Sequence, residues 1–284
     1  MGPGDDAAVF ADGLVLTTDA LVQGVHFDER LDPADVGYKA VAVSASDIGA
    51  MGGTPRWAML TLSLPAPTAA TDWTRRMAVG LHEALAHFGI DLVGGDTTSS
   101  PGPIMVTVSM GGRCTCAPLT RGGCRAGDRL WVTGYPGLAA AGYLFDDPPP
   151  PALAALRRPT PPVHFATRLA SRRLASAAMD LSDGLAADLP RLAAASGVGF
   201  ALDAAALPRH PCLPANQAEA LVLSGGDAYE LVFTAPHSST DAIRSLAEAH
   251  HVKATPIGVA TAAPAVRVGD DPLPTGFAHF AGSP

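Results

Sequence analysis

The chain reads Thr17-Thr18-Asp19-Ala20-Leu21-Val22-Gln23-Gly24-Val25-His26-Phe27 at the end of an apolar segment that begins at Leu14. We predict a short strand over residues 14–17 that ends in the polar trio Thr17, Thr18 and Asp19. A helix is predicted next, over residues 33–52, because apolar side chains recur there at helical spacing and two glycines stop the pattern. A strand followed by a helix indicates helices layered on a sheet.

Helices and strands continue to alternate outward from this stretch. Helices are predicted at residues 71–88, 162–174, 185–195 and 241–249, and strands at 57–64, 91–93, 104–110, 199–202, 229–234 and 253–259. Polar turns are predicted at 94–98 and 180–184, and four consecutive prolines within residues 146–151 predict an exposed loop. The pattern breaks between Gly111 and Gly127, which predicts two domains, at residues 1–112 and 113–284.

Composition limits the function classes. Of the 284 residues, 48% are apolar and 16% are charged, which is typical of a folded globular chain. The formal net charge is -8 and the basic residues form no run, so no nucleic-acid partner is expected. No stretch approaches about 20 uninterrupted apolar residues, so no membrane span is expected. Four cysteines are too few for a disulfide scaffold and residues 1–6 do not resemble a signal peptide, which together predict a cytoplasmic protein.

Several acidic residues stand in turns beside Gly, Ser or Thr, and one lies inside an apolar helix. They are Asp5, Asp6, Asp19, Asp96, Asp180 and Asp183, with Asp47 in the helix. A buried carboxylate is costly unless a positive charge meets it, and the chain has only two lysines. Oxygen ligands without His or Cys beside them favour Mg²⁺. The alternative is that each acid caps a turn or helix, as Ser182 and Asp183 would for the helix after Gly184.

Glycines flank most of these turns and expose backbone N–H groups, which bind phosphate oxygens. Carboxylates, Mg²⁺ and phosphate together predict phosphoryl transfer from a nucleotide. The sequence contains no G-x-x-x-x-G-K-[S/T] segment, so a P-loop enzyme is excluded.

A series of motifs recurs in the order of one known family. They are Gly4-Asp5-Asp6-Ala7, residues 17–27, Tyr38-Lys39-Ala40 with Ser46-Asp47, Gly94-Gly95-Asp96-Thr97, Thr133-Gly134, Met179-Asp180-Leu181-Ser182-Asp183-Gly184, Ser224-Gly225-Gly226 and Tyr229-Glu230-Leu231. The chain thereby resembles the thiamine-monophosphate kinases, members of the superfamily that includes aminoimidazole ribonucleotide synthetase. The resemblance implies a homodimer and a two-domain α+β fold, with mixed sheets covered by helices. It also implies transfer of the ATP γ-phosphate to thiamine monophosphate, which gives thiamine diphosphate and ADP.

The resemblance assigns roles to individual residues. The implied Mg²⁺ ligands are Asp6, Thr17, Thr18, Asp19, Asp47, Asp96, Asp180 and Asp183. The implied ATP contacts are Gly95, Asp96, Arg121 and Ser182, and the implied thiamine monophosphate contacts are His26, Asp227 and Phe277. The alternatives are that His26 is structural and that Phe277 anchors the C-terminal core. No general base is expected, because the accepting phosphate oxygen is largely ionised at neutral pH.

The sequence departs from the family pattern in three places. The Gly-Asp-Asp motif normally follows several helical turns, whereas here it occupies residues 4–6. The family's Gly-Gly-Glu-Asp is Gly225-Gly226-Asp227-Ala228, and Phe277 replaces a larger or hydroxylated aromatic residue. Two alternatives follow: another ATP-dependent enzyme of the superfamily, or a protein that binds nucleotide or thiamine phosphate without turnover.

Overall fold

The first sheet is built from the N-terminal part of the chain. The computed structural model describes residues 4–276. Five strands pair in the order β1-β2-β5-β3-β4, with β3 and β4 parallel and the other neighbours antiparallel. They are β1 (Ala8–Val9), β2 (Leu14–Val22), β3 (Thr54–Leu64), β4 (Asp91–Ser99) and β5 (Met105–Arg113). The β4 strand therefore forms one edge of this sheet.

The second sheet has seven strands in the order β12-β11-β8-β10-β6-β9-β7. Its β8 and β11 are parallel and its other neighbours are antiparallel. The strands are β6 (Arg129–Thr133), β7 (Ala177–Leu181), β8 (Gly199–Leu202), β9 (Glu230–Ala235), β10 (Ala254–Thr261), β11 (Val266–Val268) and β12 (Asp271–Pro272). Both sheets are mixed, as the predicted fold class requires.

Nine α-helices lie within residues 4–276. They are α1 (Pro33–Ala50), α2 (Ala66–Ala69), α3 (Trp73–Phe88), α4 (Leu138–Leu144), α5 (Pro150–Arg157), α6 (Val163–Ser171), α7 (Leu185–Ser196), α8 (Ala215–Ser224) and α9 (Thr240–Ala249). No helix in this part of the chain is both long enough and apolar enough to cross a bilayer.

Helix α1 lies at the centre of the molecule. The Asp32 side chain caps its first turn by accepting a hydrogen bond from the backbone N of Ala34. The helix packs against α3 and α6 and against strands of both sheets, namely β2, β5 and β7. It is therefore buried nearly all round rather than on one face, including the polar Lys39, Ser44 and Ser46. A helix in this position carries polar groups into the contact between the two sheets.

Several elements differ from the predictions. The β2 strand continues to Val22, so Thr17, Thr18 and Asp19 lie within a strand rather than in a turn. Residues 94–98 also belong to a strand, because parallel pairing with β3 holds the glycine-rich segment extended. Helix α5 begins inside the predicted proline loop, since a proline in the first turn needs no N–H partner.

Eight further elements are absent from the predictions, namely β1, β6, β7, β11, β12, α2, α4 and α8. The two sheets use residues 8–113 and 129–272. The domain boundary at 112/113 stays a prediction.

Candidate active site

Three elements bring acidic side chains to the contact between the two sheets. The β2 strand carries Asp19, α1 carries Asp47, and β7 carries Asp180. All three line one cavity of about 500 Å³, together with Ser182 and Asp183 from the segment after β7. Acidic residues from both halves of the sequence therefore face the same space.

Asp6 joins this group from the segment before β1. Its Oδ2 accepts a hydrogen bond from the backbone N of Asp180 at 3.2 Å, and Arg121 Nη2 donates to its Oδ1 at 2.5 Å. Burial raises the pKa of Asp6 to about 6, although Arg121 acts in the opposite direction. Asp5 fixes the same segment, because its carboxylate accepts from the backbone N of Arg121 at 2.7 Å. Arg121 is thus held beside the acidic group.

Asp47 and Asp180 are the most strongly perturbed members of the group. Burial, followed by the charges of Asp19 and Asp6, raises the pKa of Asp47 well above its usual value. Thr17 Oγ1 donates to Asp47 Oδ2 at 2.5 Å and acts against that rise. Burial, followed by the charges of Asp47 and Asp6, raises the pKa of Asp180 well above its usual value too.

Two serines of α1 orient two of these carboxylates. Ser44 Oγ donates to Asp19 Oδ2 at 2.8 Å, and Ser46 Oγ donates to Asp180 Oδ2 at 3.2 Å. Burial raises the pKa of Asp19 despite the hydrogen bond from Ser44. Helix α1 therefore contributes one carboxylate, Asp47, and holds two others.

The donor chemistry of this group fits a divalent cation. Buried carboxylates that raise one another's pKa are stabilised by a positive ion, and carboxylate and hydroxyl oxygens are ligands that Mg²⁺ prefers. Across residues 4–276, however, no three acidic, His or Cys side chains already converge closely enough to hold a metal ion. The group is crowded and acidic, but it is not a preformed ligand cage.

Asp183 does not cap the helix that follows it. The α7 helix has no side-chain cap, and Asp183 instead accepts from Arg191 Nη1 at 2.8 Å. Its backbone N donates to Asp188 Oδ2 at 2.9 Å. Burial and the Asp183 charge raise the pKa of Asp188 to about 7. The capping alternative is therefore wrong for Asp183, whose segment is held by other residues.

Thr18, Gly95 and Asp96 lie away from the cavity. Thr18 Oγ1 is 3.0 Å from Ser109 Oγ on an exposed part of the first sheet. Asp96 is exposed on β4 and accepts from the backbone N of Thr97 at 2.9 Å. Two strands separate β4 from β2, which corresponds to about 14 Å across the sheet. Within one copy of the chain, the fold does not bring Asp96 to the other acids, and its role stays a prediction.

The residues assigned to thiamine monophosphate are split between the cavity and the C-terminus. His26 and Asp227 both line the cavity. His26 Nδ1 accepts from the backbone N of Val22 at 3.1 Å, and Asp227 Oδ2 accepts from Lys39 Nζ at 2.8 Å. Phe277 lies outside the described residues.

Comparison with known proteins identifies the family. The family models for AIR synthase related protein match residues 4–114 with the N-terminal domain and residues 125–271 with the C-terminal domain. The thiamine-monophosphate kinase of Salmonella typhimurium is 38% identical over 260 residues, which cover 85% of this chain and 78% of that protein. The chain belongs to the thiamine-monophosphate kinase family.

Solved structures of thiamine-monophosphate kinases have the same fold. AaThiL complexed with AMPPCP and TMP matches with a TM-score of 0.86 at 30% identity, covering 98% of this chain and 91% of that one. The enzyme from Stenotrophomonas maltophilia K279a matches with a TM-score of 0.84 at 37% identity, covering 96% of this chain and 92% of that one. These matches confirm the predicted two-domain α+β fold with mixed sheets.

Several residues around the cavity have no role in the sequence predictions, although some of them belong to the quoted motifs. They include the polar side chains Lys39, Ser44, Ser46, Asp188 and Tyr229, and an apolar wall formed by Val25, Ala140, Tyr143 and Leu144. A usable signal exists for the first three, because a lysine and two serines are unusual in a helix otherwise rich in Ala and Val. The apolar wall gives no such signal, since its residues meet only through the fold.

Proposed function

We propose that this chain transfers the γ-phosphate of ATP directly to the phosphate of thiamine monophosphate, releasing thiamine diphosphate and ADP. The observation that carries the proposal is the convergence of three motif acids, Asp19, Asp47 and Asp180, at one cavity in a member of this kinase family, with a fourth, Asp6, accepting a hydrogen bond from the backbone N of Asp180. A solved relative that is 30% identical is complexed with AMPPCP and TMP, which supports the same pair of substrates here.

Both substrates are anionic at their phosphates, so they repel each other and the acidic protein. The oxygens that would hold Mg²⁺ are those of Asp6, Thr17, Asp19, Asp47, Asp180 and Asp183. When bound there, Mg²⁺ supplies the positive charge that offsets the charges of the phosphates. Arg121 and Ser182 would contact the nucleotide phosphates, as the family resemblance implies. The acceptor oxygen needs no general base, so the protein acts by positioning the two reactants.

The cavity has a second, apolar side that suits the organic part of thiamine monophosphate. Val25, Tyr143 and Leu144 line the same cavity as the acidic group, and so do His26 and Asp227. An apolar wall with a few polar groups is the usual form of a small-molecule site. Thiamine monophosphate would therefore place its rings against this wall and its phosphate towards the acids.

We also infer that two copies of the chain form a homodimer along β4. This edge strand is exposed at all nine residues, and the apolar Leu92 and Val93 are 46% and 62% exposed. An exposed edge with apolar side chains pairs readily with another strand. Gly95 and Asp96 would then lie at the contact between the two copies, where they could serve the nucleotide site. The location proposed for this enzyme is the cytoplasm, since all four cysteines are unpaired.

An incubation with thiamine monophosphate, ATP and MgCl₂ tests the reaction, with thiamine diphosphate measured by chromatography. We expect one thiamine diphosphate for each ADP, no product in excess EDTA, and no product from the Asp180→Asn variant. If the natural chain gives no product, calorimetry with thiamine monophosphate separates a binding protein, which takes up the ligand, from a protein of another function.

A further inference from the structure

Lys39 is a fully buried lysine that touches both cavity residues assigned to thiamine monophosphate. It lies on α1 and its side chain has 0% exposure. Its Nζ donates to Asp227 Oδ2 at 2.8 Å and to the backbone O of His26 at 3.5 Å. One ammonium group therefore links the segment after β2 to the segment before β9.

The second oxygen of Asp227 is also held. Tyr229 Oη donates to Asp227 Oδ1 at 3.2 Å, and Tyr229 is itself buried. The Asp227 side chain is 27% exposed and lines the cavity. With one partner on each oxygen, the carboxylate is fixed in orientation while it still faces the cavity, where its remaining lone pairs can accept further hydrogen bonds.

The backbone of this segment is strained in the same place. Asp227 and Tyr229 both have left-handed backbone conformations, with φ of 65° and 49°. Residues other than glycine rarely adopt such conformations. Two hydrogen bonds hold the segment, from Asp227 N to the O of Ser182 at 2.7 Å and from Tyr229 N to the O of Leu181 at 2.8 Å. Strained conformations that the surroundings enforce concentrate at ligand sites. The strain here places Asp227 against the segment that carries Asp180 and Asp183.

Fold stability is a poor explanation for Lys39. Desolvation of a buried ion pair offsets much of its attraction, and an apolar side chain of similar volume often serves a fold equally well. The position of its ammonium, between Asp227 and the His26 segment, is instead directly useful for binding.

We propose that Lys39 is a positioning residue that fixes Asp227 and the His26 segment for recognition of the cationic thiazolium and aminopyrimidine part of thiamine monophosphate. Tyr229 assists by holding the other carboxylate oxygen. The inference rests on the proposed function. Asp227 is one methylene shorter than the glutamate of the family pattern, so its carboxylate has less reach and depends more on being anchored.

The test is the Lys39→Met variant, which keeps an unbranched side chain as far as the ε carbon and removes the ammonium. We expect KM for thiamine monophosphate to rise about tenfold, while KM for ATP and kcat stay within about twofold. The matched control is Arg158→Met. It removes the ion pairs of Arg158 with Asp35 of α1, at 2.9 Å, and with Glu83 of α3, at 2.6 Å, and none of these three residues lines the cavity. That control should leave both KM values unchanged.

A double-mutant cycle distinguishes positioning from a general structural role. In an Asp227→Asn background, Lys39→Met should raise KM for thiamine monophosphate by less than twofold, because the group that it positions is already altered. Equal rises in both backgrounds, a change in KM for ATP of the same size, or a loss of stability without a change in KM would each overturn the proposal.

If Lys39→Met does not fold, the Tyr229→Phe variant is measured instead, because that substitution removes only one oxygen atom. It should raise KM for thiamine monophosphate two- to threefold, and an unchanged KM would contradict the proposal. If the natural chain has no turnover, the proposed function fails separately, and the same comparisons are made by calorimetry with thiamine monophosphate. Binding weakened about tenfold by Lys39→Met supports the positioning role, whereas equal binding, or none by the natural chain, refutes it.

Discussion

The contact between the two sheets and the free edge at β4 carry acids from the same set of motifs in opposite environments. At the contact, the side chains of Asp6 and Asp180 are buried and Asp47 is half-buried, and desolvation raises the pKa of each. The charge of Asp6 raises the pKa of Asp47 and of Asp180 further. On β4, Asp96 is exposed and pairs with the neighbouring backbone. One copy of the chain therefore assembles one part of the predicted site and leaves the other part on its surface.

This difference separates two ways of building a site. Buried acids are already constrained by α1 and the sheets, so their chemistry depends on what neutralises them. Exposed acids on an edge strand are constrained only when another strand covers them. Substitutions at the two places should therefore differ in effect on activity, on assembly and on stability.

Of the two acids compared, Asp47 and Asp96, the larger effect is expected for Asp47→Asn. The variant loses the central carboxylate of the buried group, and kcat/KM for thiamine monophosphate should fall about 10³-fold. Its thermal midpoint without ligands should stay the same or rise, because one of several mutually repelling acids is removed. Steady-state kinetics and thermal unfolding check both parts, and a fall of less than tenfold would contradict a central role for the buried group.

A smaller loss is expected for Asp96→Asn on the edge strand, about 10²-fold in kcat/KM with no change in thermal midpoint. Since Asp96 is exposed, the loss should appear mainly as a higher KM for ATP. An effect as large as that of Asp47→Asn would break the comparison, because the edge would then belong fully to the catalytic group. An effect below twofold would remove Asp96 from the site.

The buried acids should also make stability depend on pH. Burial raises the pKa of Glu230 on β9 to about 7, against hydrogen bonds from Thr133 and Tyr135. The folded protein therefore keeps this proton at pH values where the unfolded chain has lost it, so the stabilisation is present below about pH 4.5 and is lost as the pH rises through 7. Between pH 5 and pH 8 this loss is on the order of 2 kcal/mol.

Denaturant unfolding at pH 5 and pH 8 measures that dependence. The Glu230→Gln variant should reduce the loss of stability on going to pH 8, whereas Asp91→Asn, on the exposed β4 edge, should keep the full loss. Equal pH dependence in all three proteins would show that Glu230 does not titrate between these pH values in the folded state.

The main effect of Val93→Arg, which places a charge on the exposed edge, is expected on assembly. Sedimentation should show half the mass of the natural protein, and kcat/KM should fall about as far as in Asp96→Asn, because Asp96 then has no second copy to serve. The control Val79→Arg lies on α3, where the side chain is 49% exposed, and should keep both mass and activity. A natural protein that sediments as a monomer would refute the pairing along β4.

Much of the buried half of the site is predictable from sequence because its signal is local. A buried carboxylate requires a positively charged or hydrogen-bonding partner. The sequence marks such carboxylates at Asp47, which lies in an apolar helix, and at Asp180 and Asp183, which stand beside Ser and Gly. The order of the motifs then gives the fold and the reaction. What sequence reasoning lacks is the partner of each acid, since Ser44, Ser46 and Arg121 meet the acids only after the sheets pack.

Physical reasons explain why some helices and strands are not predicted from the sequence. The β4 strand contains Gly94, Gly95 and Asp96, residues typical of turns, and it is held by its pairing with β3 rather than by burial. The β6 strand is buried at most of its positions, so it lacks the alternation that marks a half-buried strand. Helix α4 is short and rich in alanine, and it is fixed by its contacts with α5 and α8.

The central position of α1 makes the spacing within that helix a requirement for the whole enzyme. Lys39, Ser44, Ser46 and Asp47 reach partners on β2, β7 and the segment before β9. Successive residues of an α-helix are rotated by about 100° around the helix axis. Insertion of a single alanine between Lys39 and Ser44 would therefore turn one end of the helix away from its partners while the other end stayed in place. The substrate-anchoring lysine and the aspartate of the acidic group could then no longer face the same cavity.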